Sequence, residues 1–270
     1  MKRFSLYLVG FCMSVFLMTS CIKGSNVWEG LVIGVLDYNK SYTALVLKTS
    51  SGDLYSPSFS TLMSEGSMNV DGCYVAYCRM DSDLPENSAS IVELNGYQTV
   101  SLLDFDVIPK TYISDFLTDT ANVLIDEVPL LTAIESSDYV SNYLFLVQKV
   151  TIPEDWELTW NLSYDYNSRP TIENNQRYYD LFIRASVRQD SDKTLKVDRS
   201  FLNAYYVGNY FTWAATTEQS NLGNSYSASS SKFIVRYNYV TSINEGTGEI
   251  TWKIDQQEYY ISWFLPTSLY

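Results

Sequence analysis

The residues that could do chemistry in this sequence are carboxylates, lysines, tyrosines and serines, because the chain contains no histidine. This absence excludes Ser-His-Asp and Cys-His nucleophile systems and every histidine-ligated zinc or haem site. The sequence also lacks a glycine-rich phosphate loop, a G-x-S-x-G segment and an S-x-x-K segment with its partner motifs. We therefore predict that the protein is not an enzyme, has no catalytic residue and uses no cofactor.

Two acidic segments could gather oxygen ligands. Residues 81–83 with Glu86 and Asn87 could surround Ca²⁺, and residues 190–192 form a similar Asp-Ser-Asp segment. Neither has the spacing or the glycine of an EF-hand loop, so we interpret both as solvated turns and predict no metal site. A glycosidase needs two carboxylates that face each other across a cleft, and among 31 acidic residues the sequence cannot nominate a pair.

Cys73 and Cys78 lie five positions apart in a stretch that is typical of one β-strand. This odd spacing places them on opposite faces of the strand and roughly 16 Å apart. A disulfide needs Cα atoms within about 7 Å. We therefore predict two separate thiols, at least one of them buried.

The first 20 residues are typical of a secretory signal peptide. Lys2 and Arg3 precede an apolar stretch at residues 4–18, which is shorter than the roughly 20 residues of a membrane-spanning helix. The stretch ends in Met-Thr-Ser-Cys, which resembles the bacterial lipobox. We predict a lipoprotein signal peptide at residues 1–20, a lipid anchor at Cys21, and a short tether at residues 21–26. A plain signal peptide with an incidental cysteine is the alternative.

The anchor and the charge of the chain limit its location and partners. An acylated Cys21 would hold the protein on a lipid bilayer, so we predict an outer-membrane lipoprotein of the cell envelope. Some lipoproteins that are exported to the cell surface carry acidic residues soon after the lipidated cysteine, whereas this chain has Lys23 there. This difference favours the periplasmic face of the outer membrane, but the sequence leaves both faces open. Removal of residues 1–20 changes the net charge from −13 to −15. Such an acidic chain repels phosphate backbones, so we predict no binding to nucleic acid.

Residues 201–213 form the densest aromatic segment. Tyrosine and tryptophan give large rigid contact areas and stack on sugar rings, so we predict that Tyr205, Tyr206, Tyr210 and Trp213 contact a protein partner or a glycan. The alternative is a strand that is buried on both faces, or aromatic side chains that cover the edge of a sheet. Burial is the more common outcome, because exposed apolar clusters of this size are unusual on monomers. The serine- and asparagine-rich residues 216–232 predict a long loop.

Alternation with a period of two predicts that the rest of the chain is all-β. In the second half, half-buried antiparallel strands are predicted at residues 156–164, 181–188, 232–239 and 250–255, with a hairpin turn at residues 244–248. In the first half, short apolar stretches at residues 31–36, 44–47, 54–56, 73–78 and 91–94 predict about five strands, with a tight turn at residues 50–53. Five short strands are expected of a small Greek-key barrel of the OB type. Residues 59–67 are the only candidate for a short helix.

We accordingly predict an OB-like barrel followed by an antiparallel β-sandwich. The predicted barrel spans residues 27–110, a linker spans residues 111–122, and the sandwich spans residues 123–270.

The order of these parts resembles the NigD-like bacterial lipoproteins. The resemblance is carried by the lipobox, by the strand–Gly-Asp turn–strand at residues 45–53, and by the tyrosine-rich second half with Leu-Thr-Trp-Asn-Leu-Ser-Tyr at residues 158–164 and Tyr-Asp-Leu-Phe-Ile-Arg-Ala at residues 179–185. It implies an N-terminal OB-like domain and a C-terminal β-sandwich. It carries no catalytic residue over to this chain, and the family's name comes from an association with bacteriocin gene clusters.

The function that these observations favour is binding at the cell envelope without catalysis. We predict a protein partner, either related to a bacteriocin or toxin or part of an envelope assembly. The alternative is a glycan-binding or adhesin-type surface lipoprotein that uses exposed tyrosine and tryptophan side chains.

Overall fold

The structure of the protein is a computed structural model that describes residues 26–39, 44–57, 68–113, 131–165, 170–189, 195–244 and 246–265. The predicted signal peptide, Cys21, the short helix expected at residues 59–67 and the acidic segment at residues 190–192 lie outside the described residues. The chain divides at Lys110 into two compact units, and residues 138–141 group with the first of them.

The first unit is a closed five-stranded barrel. Its strands are β1 (Val27–Asn39), β2 (Ala44–Lys48), β3 (Leu54–Pro57), β4 (Cys73–Asp81) and β5 (Gln98–Val107), and they close in the order β1-β2-β3-β5-β4. The β3–β5 pair is parallel and the others are antiparallel. This arrangement confirms the predicted OB-like Greek-key barrel. The barrel is filled by side chains that alternate along the strands, namely Val32, Leu36, Leu47, Tyr74, Ala76, Cys78, Val100 and Leu102.

One of the predicted barrel strands is wrong. The stretch at residues 91–94 lies in a short helix, α1 (Ala89–Asn95), which follows a 3-10 turn at Pro85–Asn87 and ends at Gly96 with φ of 68°. A short apolar run fits a strand and a helix equally well, and here the glycine decides, because a left-handed residue commonly ends a helix. The fifth strand is instead β5.

The second unit contains two sheets. Its strands are β6 (Lys110–Tyr112), β7 (Leu131–Val140), β8 (Tyr143–Pro153), β9 (Glu157–Ser163), β10 (Thr171–Glu173), β11 (Gln176–Gln189), β12 (Lys196–Tyr206), β13 (Lys232–Ile243) and β14 (Ile250–Tyr260). One sheet has the order β6-β12-β8-β7, and the other has the order β10-β11-β13-β14 with β9 also paired to β11. Of the linker predicted at residues 111–122, Thr111 and Tyr112 are in β6 and residues 114–122 lie outside the described part of the chain.

The alternating patterns place the predicted strands correctly. On β11 the side chains of Leu181, Ile183 and Ala185 are buried, and on β9 those of Trp160 and Leu162 are buried. The predicted hairpin joins β13 to β14, and the Asn244 carboxamide oxygen accepts hydrogen bonds from the backbone N–H groups of residues 246 and 247. The all-β class of the second unit follows from this alternation.

Two features of the second unit differ from a purely antiparallel sandwich. Strands β11 and β13 pair in parallel, from Tyr178 opposite Ile234 to Ile183 opposite Tyr239. A parallel pair needs a long connection, and β12 supplies it together with a second helix, α2 (Gly208–Leu222), which is followed by a 3-10 turn at Gly223–Ser225.

None of the described helices is long and apolar enough to cross a membrane.

The long loop predicted at residues 216–232 is wrong in its first part, because residues 216–222 belong to helix α2. Its buried residues, Gly208, Tyr210, Phe211, Ala214, Ala215 and Glu218, recur with helical spacing. The polar residues that predict a loop bond within the helix, because the hydroxyls of Thr216, Thr217 and Ser220 each donate to the carbonyl four residues earlier. The helix begins at a glycine because a Cβ at residue 208 would lie 2.8 Å from the Cβ of Asn142.

Candidate functional site: the aromatic surface of the second unit

The four predicted contact residues divide into buried and exposed side chains. Tyr205 on β12 and Tyr210 on α2 are buried, Tyr206 is half-buried, and Trp213 on α2 is 42% exposed. A side chain in the core cannot contact a ligand at the surface, so the burial removes Tyr205 and Tyr210 from a contact surface. This division arises because residues 201–206 form a strand and residues 208–213 begin a helix.

Tyr205 belongs to a polar network inside the second unit. Its hydroxyl lies 2.7 Å from the side-chain amide of Gln148, and that amide lies 2.9 Å from the carboxamide of Asn203. All three side chains are buried, and burial raises the pKa of Tyr205. Because buried polar groups cost free energy unless they are paired, this network holds β8 and β12 in register.

Tyr210 anchors the first turn of α2. Its hydroxyl donates to the backbone carbonyl of Asp180 at 3.1 Å, and its ring lies 4.7 Å from that of Tyr164. Burial raises the pKa of Tyr210 well above its usual value. The ring also packs against Trp213, with centroids 5.5 Å apart and planes inclined by 38°. Tyr210 therefore supports Trp213 from below and is not itself a contact residue.

The rings beneath the exposed tryptophans form one connected cluster. We call the buried side chains of Tyr179, Phe211, Phe233, Tyr259 and Phe264 the aromatic cluster. Their centroids lie between 5.0 and 6.2 Å from one another at each direct contact. Such pairs add to the free energy of burial, so the cluster makes a rigid base.

Two indoles extend from this cluster to the surface. Trp213 packs edge-to-face on Tyr179 at 5.4 Å, and Trp263, in a 3-10 turn at Ile261–Trp263 after β14, packs on Tyr259 at 6.5 Å. Trp263 is 59% exposed. We call the exposed faces of Trp213 and Trp263 the tryptophan surface. Trp263 is not among the contact residues predicted from the sequence, although its position just past the end of an alternating strand is a signal that indicates exposure.

Charged groups contact the rings that support the two indoles. Glu218 on α2 accepts a hydrogen bond of 2.8 Å from the hydroxyl of Tyr179 and lies 3.5 Å from a guanidinium nitrogen of Arg177. Burial and this carboxylate raise the pKa of Tyr179. The ammonium of Lys232 lies 4.8 Å from the ring centroid of Tyr260, and that ring packs on Trp263 with centroids 5.3 Å apart. An apolar centre with polar groups beside it is the usual composition of a protein contact surface.

Asp180 and Glu173 belong to an ion-pair network and do not form an acid–base pair. Arg236 on β13 donates to both carboxylate oxygens of Asp180 at 2.7 and 2.8 Å and to Glu173 at 2.8 Å. Burial alone would raise the pKa of Asp180, but hydrogen bonds from Arg236, Thr171 and Asn238 outweigh it and lower that pKa. A general acid needs a raised pKa, so this arrangement stabilises the sheet and does not suit glycoside hydrolysis.

The acidic segment at residues 81–83 is a turn, as predicted. The carboxylate of Asp81 accepts the backbone N–H of Asp83 at 3.0 Å, and the Asn26 carboxamide donates to the carboxylate of Asp83 at 2.6 Å. The carboxylates are thus used within the turn. Among the described residues, no group of three or more histidine, cysteine or acidic side chains could hold a metal ion.

Cys73 and Cys78 are separate thiols, as predicted, and both are buried. Burial raises the pKa of each thiol to about 12. Since the thiolate is the reactive form, neither cysteine is a nucleophile near neutral pH.

The first unit matches a known family. Residues 24–105 match the lipoprotein OB domain family. This match confirms the OB-like barrel and the resemblance to envelope lipoproteins that the sequence predicts. No curated protein matches the chain.

Two solved structures from Parabacteroides species share the fold of this chain. An uncharacterized protein from Parabacteroides merdae is 19% identical, with a TM-score of 0.67 over 86% of this chain and 99% of that one. A protein from Parabacteroides distasonis that is described as toxin related is 14% identical, with a TM-score of 0.52 over 87% and 94%. A NigD-like immunity protein from Bacteroides caccae is 10% identical, with a TM-score of 0.43 over 88% and 99%.

Proposed function

We propose that this chain, whose residues 24–105 match the lipoprotein OB domain family, is a lipid-anchored envelope protein that binds a protein partner through its tryptophan surface and catalyses no reaction. In this proposal the signal peptide at residues 1–20 is removed and acylated Cys21 holds the protein on the outer membrane. The partner class that the NigD-like resemblance suggests is a toxin-related protein or a subunit of an envelope assembly.

The observation that carries the proposal is the exposure of two indoles on a buried aromatic base. Trp213 and Trp263 are 42% and 59% exposed, whereas the five rings of the aromatic cluster are buried. An exposed indole costs free energy in water, and tryptophan is the side chain most enriched among the residues that dominate protein interfaces. A rigid base lowers the entropy that is lost on binding.

The geometry favours a protein partner over a glycan. Stacking on a sugar ring needs an accessible flat platform, but Tyr210 is buried and its plane is inclined by 38° to that of Trp213. The exposed indoles instead extend from the surface at two places, where each could insert into a pocket of a partner.

Site-specific photo-crosslinking in living cells tests this proposal. The full-length protein is produced with p-benzoylphenylalanine at position 213, at position 263, or at Leu195, which is an exposed apolar residue of the same unit. We expect the same protein to be captured from positions 213 and 263, and not from position 195.

The captured protein is identified by mass spectrometry and then purified for binding assays. Capture of the same set of proteins from all three positions would contradict the proposal, because it would show random collision. Release of the captured band by a glycosidase would support the glycan alternative instead.

A further inference from the structure

Strand β14 lies at the edge of its sheet, and one of its two sides pairs with no described strand. Within the part of the chain that the structure describes, β14 pairs with β13 along its length and no strand pairs with its other side. From residue 250 to residue 258 every side chain of β14 is exposed or half-buried. Ile254 at its centre is 49% exposed. An open edge of this length offers a row of unpaired backbone groups to another strand.

Two of the three charged residues on β14, Lys253 and Asp255, lie two positions apart on one face. The ammonium of Lys253 lies 3.7 Å from the carboxylate of Asp255, and the two side chains are 49% and 34% exposed. The Asp255 carboxylate also accepts a hydrogen bond of 2.7 Å from the hydroxyl of Tyr239. Charged residues usually protect an edge from pairing. Opposite charges at positions i and i+2, however, become complementary when the same strand pairs with itself in antiparallel orientation.

We propose that a second copy of this chain pairs with β14 in antiparallel orientation, with Ile254 at the twofold axis. In this register Lys253 of each copy faces Asp255 of the other, and Ile254 faces its own counterpart. The remaining pairs join residues 250 with 258, 251 with 257, and 252 with 256. No two like charges face each other, and opposite-charge cross-strand pairs stabilise a sheet. The two copies thus form one continuous sheet.

The neighbouring registers are disfavoured by charge. A twofold axis at Lys253 would place two ammonium groups directly opposite each other, and an axis at Asp255 would do the same with two carboxylates. An axis at Gln256 would lose the Lys–Asp pairs. Of these four registers, the one at Ile254 is the only one that pairs Lys253 with Asp255 of the other copy. This inference does not depend on the tryptophan surface or on the identity of its partner.

Disulfide crosslinking of the full-length protein in its native membrane tests the register. In the Ile254→Cys variant the two thiols face each other, with Cβ atoms about 5 Å apart, so mild oxidation forms a covalent dimer. In the Gln256→Cys control the thiols are offset by four residues, roughly 14 Å, and no dimer forms. Cys73 and Cys78 are buried and do not interfere. Absence of a dimer from Ile254→Cys, or an equal dimer from both variants, would overturn the proposal.

A charge exchange gives a second readout in the Ile254→Cys background. Lys253→Asp places acids opposite one another and should abolish the covalent dimer, and Asp255→Lys should do the same with ammonium groups. The double variant Lys253→Asp with Asp255→Lys restores both pairs and should restore the dimer. Light scattering of the detergent-solubilised protein without the added cysteine should follow the same order. A double variant that stays monomeric would show that the pairing is wrong.

Discussion

Arg236 is a nearly buried charge that is paired with two carboxylates. Its guanidinium satisfies Asp180 through two hydrogen bonds and Glu173 through a third, and the ring of Tyr178 lies 4.6 Å below it. The side chains of Arg236 and Asp180 are only 9% and 15% exposed. Removing one member of such a pair leaves an uncompensated charge in the interior, which costs more than the pair itself contributes.

We expect Arg236→Met to lower the free energy of unfolding by about 3–5 kcal/mol, because Asp180 then stays buried without its partner. The matched control is Lys232→Met on the same strand, which breaks the solvent-exposed pair with Glu258 and should cost no more than about 1 kcal/mol. Urea denaturation followed by tryptophan fluorescence measures both. Equal losses in the two variants would show that the Arg236 network is not a buried structural element.

Asp180 should make stability depend on pH. Its pKa is lowered in the folded protein, so its contribution is fully present above the unfolded pKa of about 4 and is lost as the pH falls through the lower, folded pKa. We expect the wild-type protein to lose more stability than Asp180→Asn between about pH 5 and pH 2.5. The unfolding free energy of both proteins across this range is the measurement, and parallel curves would contradict the pKa shift.

The strands were largely predictable from the sequence, and helix α2 was not. Residues such as Leu181 and Ile183 alternate because one face of each strand is buried, and this period of two is visible without a structure. In α2, Thr216 and Ser220 predict a loop from the sequence, because threonine and serine side chains compete with the backbone hydrogen bonds of a helix. In the structure their hydroxyls instead donate to carbonyl groups of the preceding turn. The same misreading concealed that Tyr210 faces the core while Trp213 faces water.

Helix α2 can be tested by one substitution at an exposed position. Thr216→Pro removes a backbone N–H and introduces a clash with the preceding turn, so it should cost about 3 kcal/mol in a helix and little in a loop. The control Thr216→Ala should change stability by less than about 0.5 kcal/mol. Thermal unfolding monitored by circular dichroism distinguishes the two cases. Tolerance of the proline would indicate that residues 216–222 are a loop.

The two units of the chain supply different parts of the proposed function. Residues 24–105 in the OB barrel match the lipoprotein OB domain family, and the second unit carries the tryptophan surface and the open edge of β14. The order of these units could be predicted from strand counts and turn residues. The exposure of individual aromatics could not, because it depends on which ring contacts form across α2, β11 and β14.

The proposed anchor predicts the location of the protein. Cys21→Ala should move the protein from the membrane fraction to the soluble fraction and abolish incorporation of labelled palmitate, because a lipid chain supplies the attachment. Cys12→Ala, within the predicted signal peptide, is the matched control and should leave both unchanged. Membrane attachment that survives Cys21→Ala would exclude this cysteine as the anchor.

The most direct test of the central claim is the affinity of the purified, photo-captured partner for variants of the tryptophan surface. Trp213→Ala and Trp263→Ala should each raise Kd by about tenfold or more, because indoles at the centre of an interface carry much of its binding energy. Leu195→Ala, at an exposed position outside the tryptophan surface, should leave Kd unchanged, and circular dichroism should show all three variants folded. Unchanged affinity in both tryptophan variants would contradict the proposal that this surface binds the partner.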